Sequence, residues 1–293
     1  MTNLSRVALA LAAVVLSCSV LLRAQSELRA VFVSVLEPPR TPLAGLGRSD
    51  FLVSEDGVAR EIIQVTAPTY PLQIALLIDT SQEMQPNITD LRQALKAFVR
   101  DIGAGMNGRH QVALVGFGGS PQVLVDYTQS ALRLDQEISR LYSRPGSGSY
   151  LMSALIEVSR GFRKRDPARR NMVVITTEGP EFSELNYTQV LDYVFESRAT
   201  MHTLVLNKPG VSPNTLESQE VEIALSDGAT KTGGVREDLN SSMALTSALQ
   251  ALALELNNEY QVVYARPKML IPPKTINVGV KRTGVTVRAR KIL

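Results

Sequence analysis

An α/β fold built on a doubly wound, mostly parallel sheet, inserted in or flanked by a small β domain, is the class this sequence predicts. Three observations carry that expectation. Between residues 71 and 265, apolar runs of strand length alternate with stretches whose apolar residues recur every three or four positions, which implies βαβ crossovers and a sheet covered on both faces. The run at 74–78, IALLI, shows no alternation and suits a strand buried on both sides. Residues 27–67 and 268–293, by contrast, show period-two patterns and tight turns.

The first 24 residues read as an export signal, because Arg6 precedes an apolar run over 7–22 that is short for a membrane span. Cleavage after Ala24 leaves Leu22 at the third position back. The other reading is a lipoprotein signal at Val15-Leu16-Ser17-Cys18, with the chain held at a membrane through Cys18. Cys18 is the only cysteine, so a chain beginning at Gln25 has neither disulfides nor cysteine metal ligands. Either reading places the protein outside the cytoplasm, in a periplasmic or extracellular location.

Residues 28–36 alternate around Val31, Val33 and Val35 and read as a strand stopped by Pro38-Pro39. Residues 51–55 and 58–66 flank Asp56-Gly57, a dipeptide suited to the positive φ angles of a two-residue hairpin turn. Pro68 and Pro71 bracket a linker into the strand at Ile74. A helix over 89–100 carries Leu91, Leu95 and Phe98 on one side, and strands follow at 111–117 and 123–127. Leu134, Ile138 and Leu141 line a second helix. Ser149 opens a third, with Leu151, Leu155, Val158 and Phe162 facing inward, and the basic stretch 160–170 reads as a solvated turn. A strand at 172–176, a helix at 190–195 and a strand at 200–206 come next. The stretch 207–234 combines a Pro/Gly loop, a helix through Val221 and Leu225, and a Gly233-Gly234 turn. Leu245, Leu249, Leu252 and Leu256 mark a last helix, and a strand at 260–265 completes the α/β unit. Beyond Pro267, strands at 276–280 and 285–289 surround Thr283-Gly284, and the two β segments are expected to meet in one small domain.

Charge is spread unevenly. The formal net charge is +3, yet no acidic residue follows Glu259, while Arg266, Lys268, Lys274, Lys281, Arg282, Arg288, Arg290 and Lys291 do. Such a tail forms solvated strand faces or a patch for anionic lipid or an acidic partner.

In an open parallel sheet, ligands bind outside the carboxyl ends of the strands near the topological switch point. The residues expected there are Asp79, Ser81 and Glu83 after the first parallel strand, Ser147 and Ser149 before the third helix, and Thr177 and Glu178 after the strand at 172–176, with Glu181 close behind. Oxygen ligands from three loops are what a hard divalent cation needs.

Asp79-Thr80-Ser81-Gln82-Glu83 resembles the DxSxS motif of the von Willebrand factor type A (vWA) domain. Gly148-Ser149-Tyr150-Leu151 is similar to that family's threonine loop, with Ser149 at the threonine position, and Thr177-Glu178-Gly179 is similar to its Ser-Asp-Gly turn. The flanking Ser49-Asp50-Phe51, Ser54-Glu55-Asp56-Gly57 and Glu259-Tyr260 resemble a group of exported bacterial vWA-related proteins. The resemblance implies a vWA/Rossmann-like sheet, a metal-ion-dependent adhesion site at Asp79, Ser81, Glu83, Ser149 and Glu178, Mg²⁺ or Ca²⁺ as the cation, and a protein partner. The sequence departs from that pattern, with Glu83 for a serine, Ser149 for a threonine and Glu178 for an aspartate. Three site carboxylates would over-neutralise a cation, and without one they would repel each other and raise one pKa. Two readings follow: a weak cation site, or a degenerate one in which the fold persists and the metal does not.

No catalytic constellation is expected. The only histidines, His110 and His202, lie beside or within strands, and Gly116-Phe117-Gly118-Gly119 lacks the lysine of a P-loop. Nucleic acid is not expected as a partner, because the aromatics near the basic strands are limited to Tyr260 and Tyr264. The expected function is a non-enzymatic, exported protein-interaction module of adhesion type. The alternative is a structural or assembly component of the bacterial envelope that works through the β domain and basic tail without metal.

Overall fold

The computed structural model describes residues 26–103, 110–207 and 215–293. The expected signal segment at 1–24, with Cys18, lies outside the described residues. In chain order the strands and helices are β1 (Ser26–Glu37), β2 (Thr41–Pro42), β3 (Phe51–Glu55), β4 (Val58–Arg60), β5 (Ile62–Thr66), β6 (Leu72–Ile78), α1 (Ile88–Asp101), β7 (Gln111–Gly116), β8 (Gln122–Thr128), α2 (Ala131–Arg140), α3 (Leu151–Arg165), β9 (Arg169–Thr177), α4 (Tyr187–Ser197), β10 (Thr200–Leu206), α5 (Leu216–Thr232), β11 (Arg236–Leu239), α6 (Ala244–Asn257), β12 (Tyr260–Pro267), β13 (Ile276–Val280) and β14 (Thr286–Ala289).

A six-stranded sheet in the order β11-β10-β9-β6-β7-β8 forms the centre, parallel throughout except for β8, which runs antiparallel to β7. The period-two geometry of β6 sends its side chains to two cores. Leu72, Ile74, Leu76 and Ile78 pack with Leu91, Leu95 and Phe98 of α1, Leu134 and Ile138 of α2, and Leu249 and Leu256 of α6. Ala75 and Leu77 face Leu155 and Phe162 of α3, Val190 and Val194 of α4, and Leu225 of α5. Because β7 and β9 flank β6 on opposite sides, the chain reverses its direction of winding there. The switch point therefore falls at the C-terminal end of β6, beside Asp79.

The remaining strands form antiparallel sheets. One has the order β14-β1-β12-β5, with β2 added to β1, and the other is β13-β3-β4. Strands from before and after the α/β unit thus pair directly, and Val33, Val35, Phe51, Val262, Tyr264 and Ile276 share a third core. The Asp56-Gly57 turn joins β3 to β4 with φ of 46° and 80°, as its residue types predict.

Three expectations need correction. The strand at Tyr260 does not complete the α/β sheet, because β12 pairs with β1 over eight residue positions and with β5 on its other side. The strand read at 58–66 divides, β4 continuing the hairpin while β5 crosses to the other sheet. The basic stretch 160–170 is not a solvated loop: α3 continues to Arg165, and Arg169 opens β9 as a buried side chain.

Arg169 joins the two parts of the molecule at the N-terminal end of the parallel sheet. Its guanidinium donates to the Tyr70 and Leu256 carbonyls and to Glu259 at 3.1, 3.0 and 2.7 Å, and it lies over the Phe32 ring of β1. Nearby, the buried Glu255 of α6 accepts from Arg288 of β14 at 2.6 Å and from Arg40, which also engages Glu237 of β11.

Candidate functional site

The chain leaves β6 at Ile78 and enters a loop that three neighbouring loops enclose. Thr80 is the hub. Its carbonyl accepts from Arg144 N–H at 2.8 Å, and its hydroxyl accepts from Gly118 N–H at 2.9 Å. A Cβ on Gly118 would stand 2.2 Å from the Thr80 carbonyl carbon, so the glycine-rich stretch after β7 exists to let two backbones touch. Gly148 has a similar reason, since a Cβ there would overlap the Phe182 ring at 1.9 Å. The backbone of Ser149 is held from both directions, with its N–H on the Pro180 carbonyl and its carbonyl accepting from Phe182, each at 2.9 Å.

Asp79 is buried, and protein donors occupy both of its oxygens. Oδ1 accepts from Ser81 N–H at 2.8 Å, while Oδ2 accepts from the Thr176 hydroxyl at 3.2 Å and Thr177 N–H at 3.3 Å. Burial pushes the Asp79 carboxyl above its ordinary range, with these hydrogen bonds opposing the rise. Ser81 is buried as well and opens the 3₁₀ turn Gln82–Asn87.

Ser149 does not turn its hydroxyl toward Glu178. It donates to Glu181 at 2.8 Å, and the same Glu181 carboxylate accepts from the N–H groups of Leu151, Met152 and Ser183 at 3.1, 3.4 and 3.1 Å. The reason lies in α3, whose N-cap is Tyr150, a residue without a capping side chain. The first N–H groups of a helix need acceptors, and here the β9–α4 loop supplies them through Glu181 and through the Ser183 hydroxyl, which accepts from Ser153 N–H. Burial also raises the Glu181 carboxyl.

Of the five residues expected as ligands, Asp79 and Ser81 stand together, Ser149 is engaged with Glu181, and Glu83 and Glu178 lie on the wall of a neighbouring cleft. The Glu83 stem runs over Gly179. Among the described residues, no group of three His, Cys, Asp or Glu side chains gathers closely enough to hold a metal ion. A cation there would have to rest on Asp79, the serine hydroxyls and water rather than on a cluster of carboxylates.

The cleft occupies about 760 Å³ outside the C-terminal ends of β9 and β10. Phe182, Val221 and Leu225 give it an apolar wall, and Glu83, Glu178, Glu184, Glu217 and Glu222 an acidic rim with Arg236 among them. Sequence reasoning placed Glu181 at this end of the sheet without its partner and did not single out Phe182. The signal for Glu181 was the uncapped start of the helix after Ser149, whereas Phe182 follows a turn whose path depends on Ser149.

His202 is buried in β10 with Nε2 at 3.3 Å from Asn171 Oδ1, and His110 accepts from Leu72 N–H through Nδ1. Neither histidine lines the cleft.

A doubly wound α/β domain in which an aspartate-hydroxyl loop and a serine loop meet at the switch point is the class these observations define. Residues 74–180 match the von Willebrand factor type A domain family, and the chain carries a vWA domain. A von Willebrand factor type A protein from Catenulispora acidiphila aligns with a TM-score of 0.53 at 13% identity, over 92% of this chain and 74% of its own. That coverage exceeds the α/β unit, so the shared fold includes flanking β structure. The conserved hypothetical protein BatB from Bacteroides thetaiotaomicron aligns at 0.48 and 13% identity, over 63% of this chain and 98% of its own. The vWF domain of the type V pili tip protein Mfa5 from Porphyromonas gingivalis aligns at 0.48 and 13% identity, over 65% and 96%. No curated protein matches the chain. Among the described residues, no helix is long and apolar enough to cross a membrane.

Proposed function

We propose that this chain is a non-enzymatic, exported protein-interaction module of adhesion type, and that it binds its partner at the cleft without a resident cation. The observation that carries the reading is the cleft itself, where the exposed Phe182 ring stands beside an acidic rim at the switch-point end of the sheet. An apolar wall with charged groups around it is the usual anatomy of a specific contact surface, and aromatic residues commonly supply its anchors. The rim selects a partner segment with lysine or arginine beside an apolar residue. Glu181 takes the part that a cation would otherwise play for Ser149, because its carboxylate fixes the hydroxyl and the start of α3 together.

The test is affinity capture from bacterial envelope extracts with the full chain, comparing wild type with Phe182→Ala and Glu178→Lys. A protein retained by wild type, lost with both variants and indifferent to EDTA is the expected result. Equal retention by all three chains would remove the cleft from the binding surface. Capture abolished by EDTA and restored by Mg²⁺ would return the cation to the site.

A further inference from the structure

The β domain carries a second surface of a different kind, in the connection between β12 and β13. That connection reads Lys268-Met269-Leu270-Ile271-Pro272-Pro273-Lys274, and its three large apolar residues face solvent consecutively: Met269 is 51% exposed, Leu270 100% and Ile271 73%. Single exposed apolar side chains are ordinary on protein surfaces, but a contiguous group on a projecting tip marks a contact site. Both lysines that bracket it are exposed.

The tip is mounted on a firm base. Asp56, in the β3–β4 turn, accepts from Thr275 N–H at 2.9 Å, the Thr275 hydroxyl at 2.8 Å and Lys274 N–H at 3.2 Å, and Pro273 is buried beneath the tip. The Arg60 guanidinium lies 3.9 Å from the Met269 sulfur on the other side. Leu270 and Ile271 are therefore held outward, with ammonium groups at each edge.

From this arrangement we infer that the Leu270-Ile271 tip inserts into the interfacial region of an anionic lipid bilayer, with Lys268 and Lys274 on the lipid phosphates. Charge decides the occupant. Apolar side chains enter the acyl boundary while flanking lysines stay at headgroup level, which is how interfacial anchors divide their chemistry. Beyond Glu259, Arg266 and Arg288 pair with Glu55 and Glu255, whereas Lys268, Lys274, Lys281, Arg282 and Lys291 are exposed and add attraction toward a negative surface, against the carboxylate of Asp56 at the base of the tip. The tip belongs to the β domain, which joins the parallel sheet near Arg169, so membrane contact leaves the cleft at the other end of the sheet open to a partner.

The chain contains no tryptophan, so Leu270→Trp creates a single fluorescent reporter at the tip. The full chain bearing Leu270→Trp is titrated with phosphatidylglycerol/phosphatidylcholine vesicles at low salt. The expected result is a blue-shifted emission, quenched by brominated acyl chains and at least tenfold weaker in apparent affinity when Lys268→Glu and Lys274→Glu are added. Unchanged emission with anionic vesicles, an equal response to pure phosphatidylcholine, or indifference to the lysine substitutions would each overturn the proposal. The reporter is local, so membrane binding by any other segment of the chain cannot produce the signal.

Discussion

Buried carboxylates occur in two regions of this molecule, and the regions keep them in different ways. In the β domain and at its junction with the parallel sheet, Glu55, Glu255 and Glu259 each face arginine: Arg60 and Arg266, Arg40 and Arg288, and Arg169 respectively. At the C-terminal end of the sheet, Asp79 and Glu181 are held instead by backbone N–H groups and hydroxyls. Burial alone would raise the Glu55 carboxyl, but Arg266, Tyr264 and Arg60 outweigh it and hold that group below its usual range. Burial leaves Glu259 above its range despite Arg169, and it raises Asp79 and Glu181, which only hydrogen bonds oppose, in the same direction. The first region uses charge to fix parts of the chain to each other. The second keeps negative charge incompletely compensated beside an open cleft, where a cationic group on a partner gains by approaching.

The sharpest way to break this contrast is to remove one member of the junction. Glu255→Ala strands Arg288 and leaves Arg40 with Glu237 alone at a partly buried interface, and deleting one partner of a buried ion pair costs about 3–5 kcal/mol. A lowered urea midpoint is the expected outcome. A loss under about 1 kcal/mol would show that these arginines reach water and that the junction is no different from a surface pair.

His202 adds a pH dependence to the same junction. Desolvation by burial lowers its pKa from 6.5 to about 4, with the Glu255 charge opposing the shift and Arg288 and Arg40 adding to it. The unfolded chain takes up a proton as pH falls below 6.5 while the folded chain does not, so stability falls between pH 6.5 and 4, by roughly 3 kcal/mol at most. Denaturation curves across that window should be steeper in pH for wild type than for His202→Gln. Equal slopes would mean that the folded histidine titrates normally.

Two carboxamide substitutions sharpen the comparison between the regions by giving opposite pH trends. The lowered pKa of Glu55 contributes stability above its unfolded value of 4.5 that is lost as pH falls through the folded value, so the gap between wild type and Glu55→Gln narrows on acidification. Asp79 is raised, so its charged form costs stability above the folded pKa, and that cost is relieved as pH falls toward the unfolded 3.8. The gap between wild type and Asp79→Asn therefore widens on acidification, from about 1–2 kcal/mol for the mismatched N–H contacts. Parallel trends would erase the distinction.

Much of this architecture was legible in the sequence, because it rests on local periodicity. IALLI gave a two-faced strand, Leu245 to Leu256 gave α6, and Asp56-Gly57 gave the hairpin. What was not legible depended on partners distant in the chain. An alternating pattern at Tyr260 announces a strand but not its sheet, and only the pairing with β1 decides that. Arg169 read as solvated because charge usually is, and its burial follows from Glu259 and two carbonyls about ninety residues away or more. The edge strand β11, Arg-Glu-Asp-Leu, has no apolar pattern to detect. In the candidate site, residue type and strand order placed Asp79, Ser81 and Ser149 at the C-terminal end of the sheet, where the structure has them. Glu181 was placed nearby, but its pairing with the Ser149 hydroxyl was not foreseen, since the acceptor for an uncapped helix can come from any loop that passes.

That pairing supports the smallest of the expected effects. Ser149→Ala removes one of four donors to Glu181 and leaves the N–H groups of Leu151, Met152 and Ser183 in place, so it should cost about 1 kcal/mol. Glu181→Ala leaves the start of α3 without that acceptor and should cost about 1–2 kcal/mol, the value of a lost cap. If the two groups act as a unit, the double variant loses less than the sum of the single ones, with a coupling of about 1 kcal/mol measurable in a double-mutant cycle. Strict additivity would detach Ser149 from the carboxylate and leave its hydroxyl available to a cation. Calorimetric titration of Glu181→Ala with Mg²⁺ distinguishes these states, because a carboxylate that merely caps the helix creates no metal site when it is removed. Heat appearing in that variant and absent from wild type would show instead that Glu181 holds closed a site that the fold can still form.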